Sequence, residues 1–179
     1  QSADGVAENQ PAKLASFEGH FEPEAPGDLY LLGWVDKETQ EVKGIKLPGG
    51  LSFLVHWDFK KPVPGLNAFP EDERPTALNA IFQFYHIMVA IGLLLIAITL
   101  YGTIQWWRGK IFFHRWYLWV LVGAVILPQV SNQFGWYAAE MGRQPWVVFG
   151  HLKTSEALSE SVSSSHVLFS LIFFTLIYL

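Results

Sequence analysis

The chain contains no cysteine, so disulfides, thiolate metal sites and iron–sulfur clusters held by cysteine are excluded. A metal ion would have to be held by histidine, methionine or carboxylate side chains. Charged residues are also scarce, at 16% of 179 residues, and the net charge of −4 gives no indication of nucleic-acid binding. The chain has instead 51% hydrophobic residues and eight tryptophans, which is too apolar and aromatic for an ordinary soluble domain.

Charge is absent from two long runs, and these runs predict transmembrane helices. The first is 33 residues without Asp, Glu, Lys or Arg, and predicts a span over residues 76–107. The second uncharged run is residues 116–139, and it predicts a span over residues 116–143. Pro128 should cause a kink in this span or mark a boundary. The last 14 residues, 166–179, would form about 21 Å of helix, which is short of the roughly 30 Å hydrocarbon core. We therefore expect a truncated third span and an internal fragment of a longer membrane protein.

The segments between these runs predict the topology. Residues 1–75 have 13 acidic and seven basic side chains, and predict an extended extramembrane loop with hairpins and little regular structure. The loop 108–115 has three basic residues and no acidic one, so the positive-inside rule places it in the cytoplasm. Residues 1–75 and the loop 144–165 then lie on the outer side. The predicted fold class is an all-α transmembrane helical bundle with an extended extramembrane loop.

A polar stripe is predicted on the first span. At 100° per residue, Asn79, Gln83 and His86 share one face, and Met88 lies on the opposite face. One interpretation of the stripe is hydrogen bonding between helices. The functional interpretation is the wall of a proton or water path. Taken alone, Met88 is typical of packing in an apolar helix.

A second polar stripe is predicted on the second span. An arc of about 100° contains Asn132, Gln133, Trp136, Glu140 and Arg143. Such groups should face the bundle interior or a cavity, because exposure to lipid is costly. Glu140 and Arg143 are either an ion pair at a helix end or a functional buried carboxylate that is balanced by arginine.

A short helix is predicted within "QPAKLASFEG", residues 10–19, where its proline starts the helix and its last glycine ends it. Leu14 and Phe17 would form the apolar side of this helix, with Lys13 and Glu18 clear of them. One interpretation is a solvated surface helix. The functional interpretation is a base and a cation beside a shallow apolar pocket, which would suit a hydroxylated aromatic ring.

Three stretches together resemble subunit I of cytochrome bd quinol oxidase. They are "QPAKLASFEG" (10–19), "FYHIMVAIG" (84–92) and "GWYAAEMGRQPW" (135–146), in the order that the family has them. The resemblance covers nearly the whole chain and implies the C-terminal part of that subunit, from the quinol-binding loop onward. It implies an electrogenic, non-pumping quinol oxidase. Quinol would be oxidised at the outer face, and electrons would pass through a low-spin haem b to a high-spin haem b and haem d, where O2 is reduced to water.

The resemblance also implies roles for individual residues around the haems. Met88 matches a ligand of the low-spin haem iron, and Glu140 matches a ligand at the high-spin haem pair. Arg143 would balance carboxylates or hold haem propionates, and acts with Glu140 at the catalytic site. Trp136 and Trp146 would pack on porphyrin.

Further positions match the quinol loop and the surroundings of the low-spin haem. Lys13 and Glu18 match the quinol-binding residues, with Glu18 facing outward as proton acceptor and Lys13 polarising a ring oxygen. His86 stands where some family members have arginine, so the propionate contacts or the potential of the haem should differ. An alternative is that His86 itself is a haem ligand.

The expected partners are the rest of subunit I, subunit II, a small accessory subunit, quinol, O2 and membrane lipids, without nucleic acid. The expected location is a bacterial or archaeal cytoplasmic membrane, with a multi-pass topology and residues 1–75 outside. Two alternative functions are a transporter or channel subunit with polar-lined helices, and a non-catalytic anchor of a redox complex. The joint presence of the three motifs favours the oxidase.

Overall fold

A computed structural model of the chain describes residues 2–159 and 161–178, and this part is mostly helical. The helices are α1 (Ser2–Asn9), α2 (Pro11–Glu18), α3 (Gly50–His56), α4 (Leu78–Trp107), α5 (Arg115–Ala124), α6 (Leu127–Arg143) and α7 (Ser164–Tyr178). Two antiparallel strand pairs are β1 (Leu29–Asp36) with β2 (Glu41–Leu47), and β3 (Trp146–Val148) with β4 (Leu152–Lys153).

Two helical segments, Glu71–Trp107 and Arg115–Arg143, are long and apolar enough to cross a membrane. The 30 residues of α4 alone extend about 45 Å, which exceeds the roughly 30 Å hydrocarbon core. The apolar helix Ser164–Tyr178 is shorter. Many large apolar side chains on these helices are exposed in this chain, as expected for surfaces that meet lipid or other membrane helices.

The second long segment is interrupted near Pro128, as the sequence predicted. Helix α5 ends at Ala124, and α6 begins at Leu127 with Pro128 in its first turn. Proline is tolerated there because the first N–H groups of a helix have no partner inside that helix. The boundary therefore follows from the missing N–H of one residue.

Small side chains and hydroxyl groups bring the long helices together. The Ser131 hydroxyl on α6 donates a hydrogen bond to the Met88 carbonyl on α4, at 3.2 Å. Further along α4, the Tyr117 hydroxyl of α5 donates to the Ile98 carbonyl at 2.7 Å. Gly102 permits this approach, since a Cβ there would lie 2.1 Å from the Tyr117 hydroxyl oxygen.

The expectation that residues 1–75 have little regular structure is wrong, although the predicted hairpin is present as β1 and β2. Three short helices and this hairpin pack on one another and on the first turns of α4. Each element is too short for its sequence to show a clear apolar periodicity. Contacts with distant parts of the chain decide which of its side chains are buried. The buried residues of this region include Leu14, Ala15, Phe21, Val35, Leu51, Val55, Val63 and Leu66.

The polar stripe of α4 anchors the hairpin to the helix. The Val35 N–H donates to Asn79 Oδ1 at 3.1 Å, and Gln83 Nε2 donates to the Gly33 carbonyl at 2.7 Å. These bonds satisfy backbone groups of β1 that would otherwise be partly buried without a partner. The stripe therefore binds the backbone of a strand, rather than a neighbouring helix or a polar path.

Replacing Gln83 by leucine should loosen the hairpin, because the Gly33 carbonyl would lose its partner. We expect Gln83→Leu to lower the free energy of unfolding by about 1–3 kcal/mol and to speed cleavage of the hairpin in limited proteolysis. The control is Gln105→Leu on the same helix, whose side chain makes no hydrogen bond to residues that the structure describes. Equal cleavage rates in the two variants would contradict the anchoring role.

Candidate quinol and haem sites

Helix α2 has the boundaries that its sequence predicts. It begins at Pro11 and ends at Glu18, and the capping residue Gly19 has a φ of +73°, in the left-handed region. A Cβ at Gly19 would lie 2.5 Å from Val42 in β2, so the close approach of the hairpin also requires glycine at this position.

Helix α2 is buried, and the interpretation as a solvated surface helix is wrong. Leu14 and Phe17 are buried as expected, but Glu18 is also only 1% exposed. The helix packs against both α4 and α6, so the side that the sequence assigned to solvent meets other elements. Glu18 therefore does not face outward.

The Glu18 carboxyl lies in surroundings that favour its neutral form. Neither of its oxygens has a hydrogen-bond partner among the residues that the structure describes. Burial raises the pKa of Glu18 from an ordinary value of 4.5 to about 8, and the Tyr30 backbone offsets this only in part. Glu18 is thus a buried acid whose pKa is raised toward neutral pH by desolvation.

Glu18 lines a cavity of about 290 Å³ between α2, β1 and α4, called here the Glu18 cavity. Apart from this carboxyl, the wall is aromatic or aliphatic, with His86 beside it. The lining residues are Glu18, Leu29, Tyr30, Leu31, Leu54, Tyr85, His86, Val89, Ala90 and Leu93. An apolar cavity with one convergent acid suits a largely apolar ligand that carries a hydroxyl or carbonyl group.

His86 joins the cavity wall to strand β1. Its Nε2 lies 2.7 Å from the Tyr30 carbonyl and its Nδ1 lies 2.8 Å from the Phe82 carbonyl. The ring also stacks on Phe82, with 3.9 Å between ring centroids. Since both nitrogens face backbone carbonyls, this arrangement argues against His86 as the alternative haem ligand.

Lys13 lies away from the Glu18 cavity, on the side of α2 that meets α6. Its stem packs on Gly142, where a Cβ would lie 3.3 Å from Lys13 Cγ. Its Nζ lies 5.7 Å from the centre of the Phe17 ring. Burial and the nearby Arg143 guanidinium hold the pKa of Lys13 below its usual range. The structure thus separates Lys13 and Glu18, which the sequence had assigned to one pocket.

Glu140 and Arg143 form an ion pair in the last turns of α6, and both side chains are partly exposed. Two donors beside them are buried without a partner in the described part of the chain, namely Arg143 Nε and Trp146 Nε1. Unpaired buried N–H groups are costly. Together with Lys13, they form a set of donors suited to a carboxylate group from outside this chain.

Met88 lies on the opposite face of α4 from His86, as predicted, and meets α6. A Cβ at Gly135 would lie 2.5 Å from Met88 Sδ, so glycine at this position lets the thioether pack closely against α6. Met88 lines an open groove of about 560 Å³. The other lining residues are Leu95, Pro128, Ser131, Asn132, Gly135 and Trp136.

Sequence reasoning named only Glu18 and His86 of the Glu18 cavity, and the residues it missed include both tyrosines. Tyr85 stacks on Phe17 with 4.6 Å between centroids and 6° between planes, which connects α4 to α2. Its place directly before His86 in the second motif was a usable signal. Tyr30 had no such signal, because its position depends on the long-range pairing of β1 with α4.

The model of the cytochrome bd terminal oxidase subunit I family matches residues 1–179. The chain belongs to this family. Its helical fold agrees with a bd oxidase structure from Geobacillus thermodenitrificans, with a TM-score of 0.75 and 37% identity. That comparison covers 99% of this chain and 41% of the other.

Curated proteins of the bd oxidase family show the same relationship. The putative cytochrome bd menaquinol oxidase subunit I of Bacillus subtilis (strain 168) is 39% identical, over 99% of this chain and 40% of that protein. The cytochrome bd-II ubiquinol oxidase subunit 1 of Escherichia coli (strain K12) is 27% identical, over 96% of this chain and 46% of that protein. The chain therefore spans less than half the length of these relatives.

Adding a methyl group at Gly142 should disturb the junction of α2 with α6. The new Cβ would lie 3.1 Å from Phe17 and 3.3 Å from Lys13. We expect Gly142→Ala to lower the free energy of unfolding by about 1–3 kcal/mol, measured by thermal denaturation. The control is Gly92→Ala in α4, where a Cβ meets nothing within 4 Å and helix propensity improves by up to about 1 kcal/mol. Similar melting temperatures for the two variants would contradict this packing.

Glu18 should titrate near pH 8, which infrared difference spectroscopy can follow through the band of the protonated carboxyl. We expect a band that disappears through this range and is absent in Glu18→Gln, while the exposed Glu22→Gln control retains it. Because the folded pKa is raised, the folded state binds more protons than the unfolded state between about pH 4.5 and 8. Burial of Glu18 therefore makes stability fall as pH rises through this window. A band lost near pH 4.5 would contradict the burial of Glu18.

Proposed function

We propose that this chain is the quinol-oxidising and haem-ligating part of a membrane quinol:O2 oxidoreductase, a terminal respiratory oxidase that reduces O2 to water. The observation that supports this most strongly is the Glu18 cavity. It combines a single proton-exchanging carboxyl with an otherwise aromatic and aliphatic wall, in a family whose relatives are named quinol oxidases.

The shape of the cavity suits a quinol. Its polar end is formed by Glu18 and its aromatic wall by Tyr85. From His86 the lining continues along α4 to Leu93, about 10 Å further toward the middle of the helix. We propose that the hydroxylated ring binds at Glu18 and that its hydrocarbon tail lies along Val89 and Leu93, toward the lipid.

Glu18 acts as the proton acceptor in this proposal. Oxidation of a quinol to a quinone releases two electrons and two protons. A base is most effective when its pKa lies near the working pH, and a pKa of about 8 meets this condition better than the ordinary carboxyl value of 4.5. Lys13 does not contact the quinol in this proposal. It lies on the other side of α2, where it packs against Gly142 and is close to Arg143.

The residues on the α6 side of the chain fit the haems that the family implies. Met88 supplies a soft thioether beside an open groove, and Trp136 lines the same groove. Glu140 would supply a hard anionic ligand at the high-spin pair, and Arg143 Nε and Trp146 Nε1, which have no partner in the described part of the chain, suit haem propionates. When bound, the b and d haems would accept the quinol electrons and supply the site of O2 reduction. Methionine ligation raises the potential of a haem, which suits an acceptor of quinol electrons.

The proposed setting is the cytoplasmic membrane of a bacterium or archaeon. The rest of subunit I, subunit II and a small accessory subunit complete the complex. Residues 1–75 lie outside and the loop 108–115 inside. Protons from quinol are released outside, and those for O2 reduction are taken from inside. This arrangement generates a membrane potential without a pump.

The whole oxidase that contains this chain should show b-haem bands and a far-red chlorin band that carbon monoxide shifts, in reduced-minus-oxidised spectra. Met88→Leu should abolish the low-spin b-haem band or shift it, because leucine has no donor atom for iron. The chain has one other methionine, Met141, and Met141→Leu is the matched control that should retain the band. Absence of haem, or identical spectra of the two variants, would contradict the proposed function.

A further inference from the structure

A buried base at the quinol must pass its proton to the outer water, and Glu18 is only 1% exposed. A second cavity, of about 490 Å³, is lined by residues 19–22, Glu24, Tyr30 of β1, and the hairpin turn and β2, and is called here the outer cavity. Tyr30 lines both this cavity and the Glu18 cavity. A larger and more polar space thus borders the same tyrosine as the buried acid.

His20 lines the outer cavity and follows Glu18 by two residues. Its side chain is almost fully buried. Its Nε2 lies 2.7 Å from the Asp28 carbonyl, which can only accept, so Nε2 must carry a hydrogen. This leaves Nδ1 as the nitrogen that can bind and release a proton. Nδ1 faces Glu24 Oε2 at 3.3 Å.

Glu24 connects His20 to solvent, with 44% of its side chain exposed. Other charged groups also line the outer cavity. Glu22 and Glu41 line the cavity, and Lys46, its one lysine, already bonds Asp28 Oδ2 at 2.6 Å. The Tyr30 ring lies 6.0 Å from the His20 ring and completes the titratable groups that surround it.

We propose that His20 and Glu24 form the exit by which the quinol proton leaves Glu18 for the outer water, and this rests on the proposed function of the Glu18 cavity. In this route Glu18 gives up the proton that it took from the quinol hydroxyl and returns to the carboxylate. His20 binds that proton at Nδ1 and passes it to Glu24, which releases it to solvent. No electron moves in these steps, and each group ends in the protonation state in which it began.

The test uses the whole oxidase in proteoliposomes, with kcat and quinol KM measured across pH. Glu24→Gln should lower kcat at least about tenfold and leave KM unchanged, because the quinol does not touch Glu24. Imidazole buffer on the outer side should restore much of this loss, since a small base can accept the proton from His20. Glu41→Gln is the matched control. It removes the same charge from the same cavity without contact to His20, and should leave kcat unchanged.

Two further variants separate the outcomes. His20→Gln retains a donor for the Asp28 carbonyl but has no nitrogen that binds a proton, so it should show the same loss as Glu24→Gln, and the double variant should be no slower. The exit route is overturned if Glu24→Gln behaves like Glu41→Gln, if its main effect is on KM, or if outer imidazole restores nothing. Glu18→Gln tests the proposed function itself. If that variant oxidises quinol normally, the proposed function of the cavity is wrong. If Glu18→Gln is slow but Glu24→Gln is normal, only the proposed exit route is wrong.

Discussion

The hydrogen bonds from the polar stripe of α4 to the backbone of β1 determine where the outer region lies. Through Gln83 and His86, a strand is held against a helix that is otherwise apolar. Strand β1 forms part of the wall of the Glu18 cavity, and its Tyr30 also lines the outer cavity. These bonds hold the strand over the cavity in which the Glu18 carboxyl is buried.

Helix α2 separates two acid–base environments within six residues. Glu18 is buried among apolar groups, which raises its pKa, whereas burial and Arg143 lower the pKa of Lys13. Both shifts favour the neutral form, yet the two side chains face different neighbours. One short helix thereby lines the proposed quinol cavity through Glu18 and lies close to the Glu140–Arg143 pair through Lys13.

Much of this arrangement could be predicted from the sequence, because it depends on local signals. The ends of α2, the break at Pro128, the opposite faces of His86 and Met88, and the pairing of Glu140 with Arg143 follow from helix geometry and proline chemistry. The burial of Glu18 and the partners of the α4 stripe could not be predicted. They depend on which strand packs against which helix, and the periodicity of a short strand does not specify its partner.

The junction at Gly142 has a consequence for the relation between the two sites. Phe17 touches Gly142 on α6 and stacks on Tyr85, which lines the Glu18 cavity. We therefore expect a ligand that moves Tyr85 to disturb the packing beside Glu140 and Arg143 as well. If occupancy of one site changes affinity at the other by some factor, thermodynamic linkage requires the same factor in reverse. Helix α2 is then the element that couples binding in the Glu18 cavity to binding of an external carboxylate beside Arg143 of α6.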